Sequence, residues 1–215
     1  MFQELAFNFS NQHIEPYADE WDQKKHFPLD TLREAAGLGF GGIYCSDEYG
    51  GSGLGRLEAS LVFEALATGC PSLAAFLSIH NMVCKMIDTF ASKELKEAYL
   101  PSMCTMERVG SYCLTEPNSG SDAQSLQTTA KKDGDDLVIN GTKMFISGGS
   151  ASDIYLVMTR TGEKEITCIL VEKGTKGLTF GKNERKMGWN CQPTTAVILE
   201  DVRVPKTNIV GKVGQ

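Results

Sequence analysis

No pair of cysteines in this chain stands at C-x-x-C spacing, and its three histidines, His13, His26 and His80, lie far apart. A zinc centre assembled from closely spaced ligands is therefore not expected. The seven cysteines are an odd number without a regular framework, so they read as reduced, mostly packed thiols. Long apolar runs are missing as well. Nothing approaches the roughly 20 residues that span a bilayer, and no basic-then-apolar leader opens the chain, so neither membrane insertion nor a transit peptide is expected of these residues. Basic side chains are in deficit, 21 against 27 acidic ones, for a formal net charge of −6. That balance offers no cationic stripe to a phosphate backbone, and nucleic acid is not an expected partner. The triplets Asn8-Phe-Ser and Asn140-Gly-Thr match the glycosylation pattern, but the cysteine usage points to a reducing compartment where it would go unused.

What the chain does have is 41% apolar residues over 215 positions, enough core for one large domain or two ordinary ones. Up to about Thr105 the apolar period is helical. Phe2, Leu5, Phe9 and His13 form one stripe, and Leu29, Leu32, Ala35 and Ala36 form another behind Pro28. Leu57 to Ala67 and Leu73 to Phe90 are more uniformly apolar, as in helices buried on several sides. A further helix begins at the cap Ser92, carries Glu94 in its first turn and is expected to break at Pro101. The cluster Gly50-Gly-Ser-Gly-Leu-Gly55 lacks the G-x-G-x-x-G spacing after a strand that dinucleotide binding needs, and reads as a connection between helices.

From Val109 the pattern changes to short β segments: 111–114, 125–131, 136–139, 142–147, 154–159, 166–171, 178–180 and 196–202. Their even spacing suggests a barrel-like sheet. Asn140-Gly141, between two apolar runs, predicts a type I′ hairpin that delivers Phe145 and Ser147. The expected organisation is α+β and multidomain, an all-α domain over 1–105 followed by a β-barrel-like domain over 106–215.

Two stretches carry chemistry. Tyr112-Cys-Leu-Thr-Glu-Pro-Asn-Ser-Gly-Ser-Asp122 gathers hydroxyls, turn formers and small residues at the end of a strand, where a backbone can approach a ligand closely. Met144-Phe-Ile-Ser147 sets an aromatic face beside a hydroxyl. In this order and separation the two resemble the FAD-binding signatures of the acyl-CoA dehydrogenases, in the branched short-chain type. The likeness extends to Glu20-Trp-Asp-Gln, Phe63-Glu-Ala-Leu-Ala-Thr-Gly, Ser78-Ile-His-Asn-Met and Glu200-Asp-Val-Arg-Val-Pro205.

The resemblance implies desaturation of a short branched acyl-CoA, isobutyryl-CoA of valine breakdown, with 2-methylbutyryl and straight short chains as alternatives. A glutamate removes the α-proton, the β-hydride passes to FAD, and electron-transferring flavoprotein takes the electrons. It implies that Tyr112, Cys113, Leu114, Thr115, Glu116, Pro117, Asn118, Ser119, Gly120 and Ser121 line the flavin, with the Thr115 hydroxyl bonded to its ring and Ser121 touching the acyl-CoA. Phe145, Ile146 and Ser147 would complete the cofactor site, Phe145 packed on the isoalloxazine and Ser147 near N5. Asn118 stands where many relatives carry glycine and Phe145 where many carry tryptophan; a left-handed backbone at Asn118 would make the first exchange mild. The family's catalytic glutamate lies on a C-terminal helical domain expected beyond Gln215, so the chain is expected to be inactive alone. For the full-length protein the resemblance implies a homotetramer in the mitochondrial matrix. The alternative is a truncated, non-catalytic paralogue that binds flavin or acyl-CoA, or associates with full-length subunits.

Overall fold

The computed structural model describes residues 1–214; Gln215, the last position of the expected sheet domain, lies outside them. Helices α1 (Phe2–Phe9), α2 (Glu15–Lys24), α3 (Leu29–Gly37), α4 (Arg56–Gly69), α5 (Pro71–Phe90) and α6 (Lys93–Cys104) make up the first half. The expected N-terminal stripe is displaced. A π-turn over Ser10–Ile14 widens the helix between α1 and α2, so Ala6, Phe9, Ser10 and Ile14 face inward while Leu5 and His13 face solvent. Helix α3 buries Leu32, Ala35 and Ala36 as its period requires. Helix α4 buries only one face, Ala59, Val62, Ala65 and Leu66, and leaves Leu57 exposed, in contrast to the burial on several sides expected of it. In α6 the Ser92 hydroxyl accepts from the Leu95 amide at 3.4 Å, but the helix runs through Pro101 to Cys104. Proline removes one ladder bond there, and burial of Met103 and Cys104 against the core outweighs that loss.

The second half is one eight-stranded sheet in the order β6-β7-β3-β2-β4-β5-β8, with β1 added beside β4. Its strands are β1 (Gly110–Cys113), β2 (Thr129–Asp133), β3 (Asp136–Ser147), β4 (Ile154–Arg160), β5 (Ile166–Glu172), β6 (Leu178–Phe180), β7 (Thr194–Pro205) and β8 (Ile209–Val210). The sheet curls on itself. Tyr155 of β4 meets Phe180 of β6 at 5.5 Å between ring centroids although three strands separate them in the order, and Cys113, Ile139, Val157, Ile169 and Val197 fill the interior.

The Asn140-Gly141 hairpin does not form. Those residues lie inside the continuous strand β3, and the tight turn falls at Gly134-Asp135, between β2 and β3. Asn140 stands opposite two residues of β7, Glu200 and Asp201, at a bulge where Asp201 takes φ 50°. Its side chain clasps that bulge, donating to Asp201 Oδ1 at 3.1 Å and accepting from the Asp201 amide at 2.9 Å. Gly141 is needed for proximity, since a Cβ there would run into Thr128. Partner-strand pairing, invisible to a local reading, outcompetes the turn propensity of the dipeptide.

Helix α5 joins the halves. His80, fully buried, accepts the Gly110 amide on Nδ1 at 3.0 Å, which leaves Nε2–H to donate to the Met103 carbonyl at 2.9 Å. Burial holds this imidazole down to about 4. Asn81 accepts from the Ile43 amide at 2.7 Å and donates to the Phe40 and Leu77 carbonyls. His80 and Asn81 therefore serve the joint between the elements, with their polar atoms already engaged.

Candidate functional site

A second bulge shapes the strand end that carries Phe145. Lys143 pairs with Val197 and Ile146 with Thr195, so Met144 and Phe145 together face the single residue Ala196. Strict alternation would put Lys143, Phe145 and Ser147 on one face. The bulge breaks that alternation: Phe145 adopts φ 59° and its ring turns outward, 59% exposed, while Lys143 and Ile146 stay inside. The extra residue also frees the Met144 amide from β7. It donates instead to the Thr115 carbonyl at 2.7 Å and ties the two motif segments together. Behind them, Ser111 Oγ donates to the Ser147 carbonyl at 2.5 Å and shares a bond with Ser152 Oγ at 2.7 Å. Gln192 Nε2 points at Ser147 Oγ from 3.5 Å.

The first segment closes on itself. Glu116 and Ser119 exchange amide-to-carbonyl bonds of 2.9 and 3.2 Å around Pro117-Asn118. Asn118 keeps a negative φ, so the left-handed backbone expected there is not used. The Glu116 carboxylate turns inward to Lys143 Nζ at 2.7 Å and accepts the amides of Gln127 at 2.5 Å and Thr128 at 2.9 Å. Lys143 Nζ also donates to the Leu114 carbonyl at 3.1 Å. Burial opposes ionisation of Glu116, but Lys143 and the two amides outweigh it and hold the carboxyl below its usual range. Burial likewise presses the Lys143 ammonium down, with Glu116 pulling against it. Such a pair persists because each charge would be costly alone.

The structure divides the sequence-derived residues into three groups. Pro117, Asn118, Gly120, Ser121 and Phe145 are exposed, and Tyr112, Leu114, Thr115 and Ser147 are half-buried along the same strand ends. Cys113 and Ile146 point into the sheet's core, Glu116 is consumed by its ion pair, and Ser119 Oγ donates to the Asp122 carbonyl at 2.7 Å. Those four offer a ligand only main-chain groups. Three contributors were missed by sequence reasoning: Lys143, Ser111 and Gln192. A lysine inside an apolar strand was the one legible signal, since an unpaired charge is not buried there; nothing in the sequence marks the other two.

The surface between the segments suits a flat, polar-edged aromatic ligand. A half-exposed ring on a strained backbone stands beside hydroxyls at Thr115 and Ser147. Gln192 Oε1 and Thr195 Oγ1 are buried and lack a hydrogen-bond partner among the described residues. Gly148, at φ +84°, sits under Phe76, where a Cβ would lie 2.7 Å from that ring and closer still to the Ser111 and Ser152 hydroxyls. A cleft of about 230 Å³ adjoins this corner, lined by Phe27, Ser150, Lys186, Gln192 and Thr194 among others. A larger one, of about 680 Å³, lies apart on the helical half among Tyr44, Phe63, Met82 and Phe90 and shares no residue with the motif segments.

Residues 1–107 match the acyl-CoA dehydrogenase N-terminal domain and residues 111–202 the acyl-CoA dehydrogenase middle domain. The chain belongs to the acyl-CoA dehydrogenase family. Over its whole length it is 55% identical to the mitochondrial isobutyryl-CoA dehydrogenase of Dictyostelium discoideum, of which it covers 52%. The chain thus spans about half the length of that relative. Butyryl-CoA dehydrogenase from Megasphaera elsdenii superposes with a TM-score of 0.94 at 35% identity, over 99% of this chain and 58% of that one. An acyl-CoA dehydrogenase complexed with FAD from Bacillus anthracis superposes with a TM-score of 0.92 at 31% identity, over 100% of this chain and 37% of that one. The helical half followed by the sheet is the arrangement of the acyl-CoA dehydrogenase fold.

Proposed function

We propose that this chain supplies the flavin-cradling part of an FAD-dependent acyl-CoA dehydrogenase that forms the α,β double bond of a short branched acyl-CoA, isobutyryl-CoA in valine catabolism. The carrying observation is the bulge that turns Phe145 out of the sheet next to the Thr115 loop, with Ser147 one step along. Phe145 would pack on the flavin ring, the Thr115 hydroxyl and neighbouring main chain would bond its edge, and Tyr112 to Ser121 would line it. Bound there, FAD supplies the acceptor for the hydride leaving the substrate's β-carbon. The Ser147 hydroxyl would donate to the ring where negative charge grows, and Ser121 would contact the acyl-CoA. Removal of the α-proton would fall to a glutamate outside the two motif segments. Glu116 has both oxygens engaged, and Asp122 accepts from Ser125.

The remaining reading is a mitochondrial matrix protein whose full-length form is a homotetramer and passes electrons to electron-transferring flavoprotein; the relatives' names support its mitochondrial part. Branched against straight short chains is a choice of one or two methylenes, worth about 1–3 kcal/mol. Titrating FAD into the chain while following flavin fluorescence tests the cradle, with Phe145→Ala expected to weaken binding about tenfold. Equal affinity of the two proteins would remove Phe145 from the site. Dye reduction by the native protein from source tissue, with isobutyryl-, 2-methylbutyryl- and butyryl-CoA, tests the substrate; preference for butyryl-CoA would overturn the branched-chain assignment.

A further inference from the structure

Cys70 and Cys191, 121 residues apart in sequence, face each other inside the protein with their Sγ atoms 3.6 Å apart. Both are buried. Cys70 caps the N-terminus of the twenty-residue helix α5, with Pro71 beginning it. Cys191 belongs to the segment between β6 and β7, next to Gln192. The two environments differ in a useful direction. The hydrogen bond from Cys191, with the backbone amides of Leu73 and Ser72 and against the cost of burial, lowers the Cys70 thiol, as the positive end of a helix does. The same contact, with burial, raises Cys191. Asp22 is the carboxylate facing both sulfurs and Lys186 the cation facing Cys191. The two sulfurs are thus in contact across the joint between the two halves, with Cys70 the one its surroundings favour as thiolate.

We propose that Cys70 and Cys191 form a reversible oxidation site for hydrogen peroxide, with Cys70 the attacking sulfur and Cys191 the resolving one. The Cys70 thiolate attacks one peroxide oxygen, the O–O bond breaks, and the displaced oxygen leaves as water after taking a proton; Cys70 becomes the sulfenic acid. The Cys191 sulfur then attacks Cys70 Sγ, the S–O bond breaks, and a second water leaves with the Cys191 proton. Two thiols are oxidised by two electrons and one peroxide is reduced to two waters. Closing 3.6 Å to the roughly 2.05 Å of a disulfide moves the sulfurs by about 1.5 Å. The bond would fasten the start of α5 to the segment that carries Gln192, and so reaches the candidate site without occupying it. Cys45 also lies against the Cys104 and Cys84 thiols, but Cys45 and Cys104 are both pushed up, so Cys70, at the start of α5, is the sulfur expected to react first.

The test is mild hydrogen peroxide treatment of the folded chain, followed by alkylation of remaining thiols and peptide mapping by mass spectrometry. Free thiols are expected to fall from seven to five, with a Cys70–Cys191 cross-linked peptide that dithiothreitol reverses. Cys191→Ser should abolish the cross-link and leave Cys70 as a dimedone-trappable sulfenic acid, whereas Cys70→Ser should leave Cys191 unmodified. Should either variant fail to fold, the mapping of the unaltered chain decides alone. Seven intact thiols, a different cross-linked pair, or a bond that forms only in denaturant would overturn the proposal.

Discussion

The two segments that build the candidate site are held by opposite means. The loop from Thr115 to Ser121 is fixed by charge: Glu116 is buried against Lys143 and two amides, and its tight turn is closed by reciprocal main-chain bonds. The segment from Phe145 to Ser147 is fixed by geometry. A bulge forces a bulky residue to φ 59° and leaves its ring in solvent, a conformation that costs about 1–3 kcal/mol. One segment gains rigidity by satisfying everything it buries; the other exposes what a folded chain ordinarily hides. The difference separates scaffold from contact surface. A side chain saturated by its neighbours cannot bind, and a strained, uncovered one has kept that capacity.

The contrast can be broken most forcefully at Lys143. Lys143→Ala would leave a buried carboxylate without its cation, and urea denaturation should show a loss of about 3–5 kcal/mol. Pairing Lys143→Met with Glu116→Gln removes both buried charges and keeps an acceptor for one of the Gln127 and Thr128 amides, so it should lose less than Lys143→Ala, about 1–3 kcal/mol against the parent. A loss below 1 kcal/mol for Lys143→Ala would show that charge does not anchor the loop.

Acid should act next in size, through the joint that feeds β1 into that loop. His80 titrates at about 4 in the folded protein against 6.5 as its ordinary value, so the unfolded chain takes up the proton first. Stability is full above about pH 6.5, declines as pH falls by up to about 1.4 kcal/mol per unit, and stops declining on this account below about pH 4. Urea midpoints measured between pH 7 and pH 4 should follow this course, and a His80→Asn variant should lack this component of the slope.

Phe145→Gly sharpens the comparison from the other side. Glycine accepts a positive φ, and an exposed ring takes little burial with it, so the variant should gain about 1 kcal/mol in thermal or urea unfolding while losing flavin affinity. Loss of stability instead would mean that the ring packs within the chain. Asn118→Gly is expected to be the smallest change, within about 0.5 kcal/mol, because Asn118 is exposed, keeps a negative φ and uses no side-chain bond in the turn. A shift in melting temperature of several degrees would contradict that account.

How much of this was legible in the sequence depended on the range of the forces involved. Helices α3 and α5 are announced by their own stripes, and the Ser92 cap of α6 lies where local chemistry puts it. Where a distant partner decides, local reading failed. Asn140-Gly141 has the composition of a turn but pairs along β7, and the true turn uses Gly134-Asp135. Phe145 and Ser147 were correctly placed at one strand end, yet the alternation assumed for them is undone by the bulge opposite Ala196. Of the candidate site, the motif residues were visible because their composition is unusual. Ser111 and Gln192 were not, because each acts through a neighbour brought in by the fold, and Lys143 showed only as a charge inside an apolar strand, without its partner.

Gly148 lies at the meeting of three elements, with no space for even a methyl group between Phe76 on one side and Ser111 and Ser152 on the other. Such a position restricts inheritance as well as packing. Helix α5 and the strand end beneath it cannot drift independently: a larger residue at 148 becomes acceptable only in a lineage that has already trimmed the ring at 76 and retreated at both serines. Across descendants of this chain, a larger residue at 148 should therefore be found only together with changes at 76, 111 and 152.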